Sequence, residues 1–556
     1  MLRLPSVSGE DARELARALS LTQTAANILV GRGLGAPEHS ARFLDPRLAH
    51  LTPPEAMKDR SEAVERVARA VRAKERICVF GDYDADGVTA AALLSDVLRT
   101  LGAEVATELA DRFGGGYGLS GQALARVLAT GATLLVTCDC GSSDHDRLET
   151  VRRAGVDAVV IDHHRVPDAP LPALAFLNPH RPECNFAYKG LASVGLALSM
   201  GAGVRAALGV PLDMRQWLDF VAIGTIGDVA PLDGDNRALV RAGLGLIARS
   251  GRPGTRALAQ IAGFSRGPIT GEDVSFRFAP RINAPGRLDK PDLALSLLLA
   301  KDDEAAQRLA GEIETQSTRR KEIQNAVLAE ALEAHSDPAL ARLPAIVLAK
   351  QGWHPGVVGI VAGRLASRFG KPAIVIALDG NAGRGSARAP AGFSVYEALA
   401  KCRDTLIAFG GHHAAAGLEV ASARVDGFRD RFCAACEAMG VPDGASPFDA
   451  EARLEEGDAP ARVVVDLDRF EPCGQSNPAP HVAIDRARVL GTREVRGGHL
   501  RIWIDVRGTP LSCFGPEMGA LSSRLGTHAS VAGVLRRDAW KGGDAVEMRL
   551  ALVVPS

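Results

Sequence analysis

A chain of 556 residues is too long for a single hydrophobic core and predicts roughly three or four domains. With 46% hydrophobic and 24% charged residues it is neither disordered nor fibrous, and the absence of any apolar run of membrane-spanning length excludes a helical integral membrane protein. The net charge of −1 neither supports nor excludes a nucleic-acid partner, so any such track has to come from local basic patches.

Residues 1–70 are polar and helical in pattern, with Arg32-Gly33 and Phe43-Leu44 as expected packing points against the first domain. The start, Met1-Leu2-Arg3-Leu4-Pro5, has no apolar signal core and soon turns charged at Glu10-Asp11. Nine cysteines, an odd and scattered number, predict reduced thiols and a cytoplasmic location.

Residues 71–300 alternate strand and helix patterns, which predicts a doubly wound α/β catalytic domain. Directly after the apolar run Ile77-Cys78-Val79-Phe80 comes Gly81-Asp82-Tyr83-Asp84-Ala85-Asp86-Gly87. No packed core tolerates three unpaired anions so close together, and a divalent cation is the natural counter-charge. A calcium loop is excluded because its twelfth position, counted from Asp82, is Leu93 rather than a bidentate Glu. The remaining reading is a metal cluster at strand ends, and further apolar runs supply it. Leu134–Thr137 leads to Asp139, Ala158–Ile161 to Asp162-His163-His164, and Phe220–Gly224, read as another strand, to Asp228. Parallel sheets place their working residues beyond the carboxyl ends of strands, so one crevice can gather all of these. Carboxylates and imidazoles suit hard or borderline ions such as Mn2+ or Mg2+, and so many acids suit a pair of ions roughly 3.5–4 Å apart that hydrolyse a phosphate ester. Cys138 and Cys140 flank Asp139 on the opposite face of a strand and read as packing.

The stretch 301–336 has no proline and one glycine and predicts one long connecting helix, about 50 Å at 1.5 Å per residue. A second, smaller α/β unit over 337–445 carries glycine-rich polar loops, Gly383-Arg384-Gly385-Ser386-Ala387-Arg388 and Gly410-Gly411-His412, whose open backbone amides, hydroxyl and guanidinium groups suit phosphate oxygens. Residues 455–556 read as short strands at Ala461–Leu467, Val482–Val489, His499–Val506, Pro510–Phe514, Ala529–Leu535 and Ala545–Val554, compatible with an OB-type barrel. Arginines 486, 488, 493, 496, 501 and 507 would suit a phosphate track there, with Trp503, Phe514 and Trp540 as the sizeable stacking aromatics.

These motifs together resemble the DHH phosphoesterases: Asp82-x-Asp84-x-Asp86-Gly87, Asp139, Asp162-His163-His164 and Asp228. Arg112-Phe113 through Gly116-Tyr117-Gly118-Leu119, Asn178-Pro179, Pro280-Arg281-Ile282-Asn283-Ala284, Trp353-His354-Pro355-Gly356 and Gly410-Gly411-His412 narrow the resemblance to the RecJ branch of that family. That resemblance implies a DHH domain, a DHHA1-type domain and an OB-fold, and a metal-dependent exonuclease that degrades single-stranded DNA from the 5′ end to 5′-mononucleotides. It implies a monomer away from membranes, acting in DNA recombination and repair, with a helicase and a single-strand-binding protein as protein partners. Two divalent ions would be held by Asp84, Asp86, Asp139, His163 and Asp228, with Asp139 the bridge. Asp82 either ligates or caps, His164 either ligates or protonates the leaving oxygen, and Asp162 orients a histidine. Arg112, Tyr117 and Asn283 would shape the channel, Arg281 would contact the strand near the scissile bond, and Ser386, Arg388 and His412 would hold the 5′-terminal phosphate. Two positions depart from the family pattern: Ala389 stands where Ser is frequent and Cys473 where Phe is frequent. The alternative within the same family is a phosphodiesterase for cyclic dinucleotides or very short RNAs.

Overall fold

Three apolar runs that end in acids lie in one parallel sheet of five strands, in chain order Arg76–Gly81, Glu104–Leu109, Leu134–Cys138, Asp157–Ile161 and Ala175–Leu177, the second and the fifth being its edges. In a computed structural model that describes residues 2–249, 251–264, 268–441, 448–538, 541–542 and 544–555, their spatial order is 2-1-3-4-5. That order reverses between the first strand and the third, so the crevice of this doubly wound sheet opens where Asp82 and Asp139 emerge. Central strands buried on both faces need unbroken apolar runs, and Ile77, Val79, Leu134, Val136, Val159 and Ile161 are all fully buried.

Phe220–Gly224 is not a strand but lies inside the helix Leu218–Gly227. This helix is apolar all round and packs on Ala85–Thr100, Ser193–Leu208 and Gly234–Ala248, so its sequence carries no amphipathic period to separate it from a buried strand. Asp228 therefore follows a helix C-terminus, and the next residue, Val229, takes a left-handed φ of 60°. Ala461–Leu467 is likewise helical, within Pro460–Leu467: Pro460 sits in the first turn and Val463, Val464 and Leu467 face the barrel core.

The chain folds into two units, one of residues 1–279, 298–303 and 447–556, the other of 280–297 and 304–446. The first holds the parallel sheet and a barrel whose strands run in the order Val482–Val495, His499–Val506, Thr509–Gly515, Val546–Pro555 and His528–Arg537. Pairing of the last with Val482–Val495 closes it. In the second unit, the expected long helix spans Asp303–His335, and a mixed five-stranded sheet contains Ile346–Gln351, Ala373–Asp379, Ala382–Arg388, Ala408–Gly411 and Ala415–Ala421. No helix among the described residues is long and apolar enough to cross a membrane.

Arg32 corrects the expected packing of the N-terminal segment. Instead of facing the parallel sheet it pairs with Glu451 at 2.6 Å and donates to Asn477, while the helices Gly9–Leu19 and Gln23–Gly31 bury Leu15, Ile28 and Leu29 in the core that also contains Val482 and Ile502 of the barrel. Phe43 mediates between the two halves of this unit: the Arg237 guanidinium lies 4.0 Å from its ring centre, and Phe470 meets it edge-on at 5.4 Å.

Arg237 is the pin of that junction. Only 3% exposed, it donates to the carbonyls of Phe43, Arg469, Phe470, Glu471 and Pro472. Asn477 donates to two of the same carbonyls and Leu232 N–H donates to Gln475, so the segment after Asp228 is tied to the segment that leads into the barrel. Replacing a planar five-donor group leaves buried acceptors that lysine cannot reach together. Arg237→Ala is expected to cost about 2–4 kcal/mol, read as a lower urea midpoint, with Arg237→Lys recovering little of it. An unchanged midpoint in Arg237→Ala would show that water satisfies these carbonyls.

Candidate metal centre

The first strand stops at Gly81 and a helix starts at Ala85, so Asp82 and Asp84 lie on the turn between them and Asp86 in the first helical turn. Asp84 is the N-cap, its Oδ1 accepting from the amides of Asp86 at 3.0 Å and Gly87 at 3.1 Å. Gly87 is obligatory here because a Cβ would stand 2.6 Å from the Asp82 backbone. Asp86 is fully buried and held by a second helix N-terminus, that of Ser193–Leu208: Ser193 N–H reaches Oδ2 at 2.7 Å and Val194 N–H reaches Oδ1 at 2.9 Å. Asp139 leaves its strand in the left-handed region, φ 65°, and its Oδ1 accepts from Ser193 Oγ at 3.1 Å.

The structure brings all seven expected ligand candidates together. Donor atoms lie within 4.8 Å of one another in three overlapping sets: Asp139, His163 and His164; Asp86, His163 and Asp228; Asp82, Asp84 and Asp139. His163 stands at the centre, with Nε2 3.3 Å from Asp139, 3.6 Å from Asp228 and 3.9 Å from Asp86. That nitrogen is buried and has no hydrogen-bond partner among the described residues. A buried imidazole nitrogen left unpaired amid carboxylate oxygens fits a metal ligand, and the hard-oxygen donor set fits Mn2+ or Mg2+.

Asp162 orients the histidines. Its carboxylate accepts from the amides of Ser142, His163 and His164 and lies 2.8 Å from His164 Nδ1. Burial works to raise Asp162, but the bonds from His164 and Ser142 hold it down to about 2. Burial likewise works against His164, yet Asp162 lifts it to about 9. His163 goes the other way, to about 4, through burial and the neighbouring His164 charge. Burial and then the mutual repulsion of the cluster, chiefly from Asp84, push Asp86 to about 7; burial with Asp86 and Asp84 pushes Asp228 to about 9. Asp82 and Asp139 rise well above the usual carboxylate range for the same reasons.

Tyr117 also props the centre: its hydroxyl donates to the Asp139 carbonyl at 3.0 Å and lies 3.1 Å from His164 Nδ1, while the residue stays exposed. Arg112 stacks 4.1 Å from the centre of the Tyr83 ring, with a buried Nε that has no hydrogen-bond partner among the described residues. Ser193 is the residue that the motifs did not reveal; a serine opening a helix is too ordinary a signal to single out. Cys138 and Cys140 are buried free thiols.

The second unit gathers the other candidates differently. Ser386 and Arg388 lie on a strand, not a loop, and Ser386 pairs with Val375 and Gly417 on either side, so the sheet occupies the amides expected to be open. Their side chains lie beside the helix Val358–Phe369: Arg388 Nη1 donates to Ser386 Oγ at 2.9 Å, and a Cβ on Gly359 would stand 2.9 Å from that hydroxyl. His412 is exposed at a turn closed by its own N–H to Ala415. Ala389 donates its amide to Ala414, as any residue there would. Arg281 is held by Glu314 at 2.6 Å, and Asn283 follows on the same helix, Ala279–Leu288. In the barrel Arg488 pairs with Asp505, Arg501 with Glu547, and Arg507 donates to the Leu454 carbonyl, so three of the six arginines expected to suit a phosphate track have partners within the chain. Arg501 also covers the ring of Phe514, at 5.4 Å, and Trp540 lies outside the described residues.

Raised carboxyls mean that the folded metal-free chain binds more protons than the unfolded chain up to about pH 9, and His164 acts in the same sense. Stability of the metal-free chain therefore falls as pH rises. His163 opposes this only below its ordinary value of 6.5, leaving about pH 6.5–9 as the clear window. The melting midpoint without metal is expected to drop between those limits. Manganese should remove the drop, and calorimetry in two buffers of different ionisation heat should detect protons released on binding. A flat midpoint and no proton release would contradict the charge balance described above.

Three family models match the chain: the DHH family, N-terminal domain, over residues 76–225, the DHHA1 domain over 342–438, and the RecJ OB domain over 449–551. The single-stranded-DNA-specific exonuclease RecJ of Bacillus subtilis is 34% identical over 540 residues, 96% of this chain and 68% of that protein. The RecJ of Thermus thermophilus is 35% identical over 537 residues, 97% of this chain and 76% of that protein. The crystal structure of Thermus thermophilus RecJ in complex with Mn2+ superposes with a TM-score of 0.86 at 33% identity, covering 100% of this chain and 79% of that one; the Mg2+ complex gives 0.80. Full-length similarity, three domain matches and the converging acids and histidines agree, and the chain belongs to the RecJ family of DHH phosphoesterases.

Proposed function

We propose that this chain is a single-stranded-DNA-specific 5′→3′ exonuclease that hydrolyses phosphodiester bonds and releases 5′-mononucleotides in DNA recombination and repair. The observation that carries the reading is the convergence of an intact Asp/His cluster in a chain similar to RecJ over 96% of its length. Two divalent ions, Mn2+ or Mg2+, would be held by Asp82, Asp84, Asp86, Asp139, His163 and Asp228; when bound they supply an activated water and neutralise charge on the attacked phosphate.

The chain's own residues do the rest. Ser193 fixes Asp139 through Oγ, and the Ser193 and Val194 amides fix Asp86, so the carboxylates keep their geometry despite mutual repulsion. His163 stays neutral, leaving Nε2 to ligate. His164, charged through Asp162, holds a proton at neutral pH, which favours the acid role over ligation: it donates to the O3′ that leaves with the terminal nucleotide. Ser386, Arg388 and His412 bind the 5′-terminal phosphate, Arg281 and Asn283 the strand beyond it, and Arg112 the backbone near the centre. The protein works as a cytoplasmic monomer, with a helicase and a single-strand-binding protein supplying its substrate.

The test uses a single strand labelled at its 3′ end, with and without a 5′ phosphate, alongside a matched blunt duplex and a cyclic dinucleotide, all in manganese. Progressive shortening from the 5′ end, with the duplex spared, is expected. Asp139→Ala should lose activity on the order of 10³-fold or more while still binding the strand. Turnover of the dinucleotide alone would move the chain to the small-substrate phosphodiesterases.

A further inference from the structure

The long helix Asp303–His335 buries one stripe, and the stripe changes character midway. Ala306, Ala310 and Ile313 are followed by Ser317, Arg320 and Gln324, and then by Val327 and Ala331. The 3-4 spacing never breaks, so three polar side chains occupy the middle of a stripe that is small or apolar on either side of them, up to His335 at the helix end. Val327 and Ala331 join the core of Trp353, Val358 and Leu365, which shows what this stripe does where it is structural.

The polar stretch is not satisfied internally. Arg320 is 7% exposed, its Nε has no partner, and no carboxylate pairs with it among the described residues. Its one bond goes from Nη1 to Gln324 Oε1 at 3.4 Å. With its amide turned the other way, Gln324 instead accepts from both terminal nitrogens of Arg364, at 3.0 and 3.2 Å, and can then offer nothing to Arg320. The Ser317 hydroxyl and Gln316 Oε1 are also buried without partners among the described residues. The nearby charges are positive: Arg364, exposed on the helix Val358–Phe369, and Arg281, whose carboxylate is Glu314. Burial and these two cations push Arg320 below the usual arginine range. A buried guanidinium with spare donors, facing like charge, is costly unless an anion completes the site.

We infer that Arg320, with Ser317 and Arg364, forms an anion site that takes a phosphodiester group of the substrate strand, separate from the Ser386–Arg388 pair. The exposed Arg364 gives the phosphate its way in, and Arg320 meets it from behind with the donors that the protein leaves unused. The inference rests on the proposed exonuclease function, and it assigns to the connecting helix a direct part in holding DNA.

The test measures binding of the full chain to a single strand in chelator, across a salt series, for wild type, Arg320→Met and Arg320→Lys. Each phosphate contact on a single strand contributes about 0.7 to the slope of log K against log salt. Arg320→Met is expected to lower that slope by about 0.7 and weaken binding several-fold, with a melting midpoint equal to or above wild type because an uncompensated buried cation is gone. Arg320→Lys should keep the slope. An unchanged slope in Arg320→Met, or midpoints well below wild type for both variants, would overturn the site and make Arg320 structural. Inorganic phosphate raising the wild-type but not the Arg320→Met midpoint, with strand slopes equal, would assign the site to free phosphate instead and also overturn the inference. Failure of the wild-type chain to shorten a 3′-labelled strand would count against the exonuclease reading alone.

Discussion

Mutual repulsion among Asp82, Asp84, Asp86, Asp139 and Asp228 is the constraint around which the first unit is arranged. The strand order brings their backbones to one crevice, but topology alone would leave the side chains to splay apart. All but Asp228 are restrained by a backbone or hydroxyl donor. Asp84 caps its own helix, Asp86 lies on the amides that open Ser193–Leu208, Asp139 takes the Ser193 hydroxyl, and Asp82 lies 3.4 Å from the Gly118 amide. Helix N-termini can hold anions without bringing a competing side-chain cation into the site. A lysine or arginine in their place would neutralise the cluster permanently and remove its demand for a divalent ion.

The same reasoning explains why the barrel side of this unit is tied so closely to the metal side. Asp228 follows a helix C-terminus, where the dipole offers it nothing, and the next residue is in a left-handed conformation. Its segment is steadied further on, by Leu232 N–H to Gln475 and by Arg237 on the carbonyls of 469–472. Cys473 sits in this clasp, its amide donating to Glu471 and its carbonyl only 2.3 Å from where a Cβ on Gly271 would be. The space around the departure from the family pattern is therefore set by backbone on both sides.

What could be read from the sequence follows from burial. Strands at 77–80, 134–137 and 158–161 were legible because parallel strands buried on both faces are short apolar runs that end in the working residue. The same rule misassigned 220–224, where an apolar run belongs to a helix surrounded by three others. It also misassigned 461–467, where three consecutive valines suggest a strand but Pro460 and the 463/467 spacing make a helix against the barrel. The ligand candidates were legible as residue types, and Tyr117 through its glycine-flanked motif, whereas Ser193 and Arg237 act through hydrogen bonds that leave no pattern in the chain. The arginines of the barrel were legible by their spacing, but the partners of two of them, Asp505 and Glu547, were not.

A net charge of −1 hides two fields of opposite sign. One unit buries a cluster of acids, and the other buries Arg320 beside Arg364 and Arg281 with no carboxylate paired to it among the described residues. Each arrangement costs stability in the isolated protein, and each is the complement of part of a metal-bound phosphate strand: cations for the carboxylates, phosphates for the guanidiniums. Apolar residues at 317, 320 and 324 would continue the stripe of the long helix without that cost, as Val327 and Ala331 do. The local rule for a buried helix face is broken at the very positions where an anion would repair it, which is how a binding requirement becomes visible in a fold otherwise consistent with its sequence.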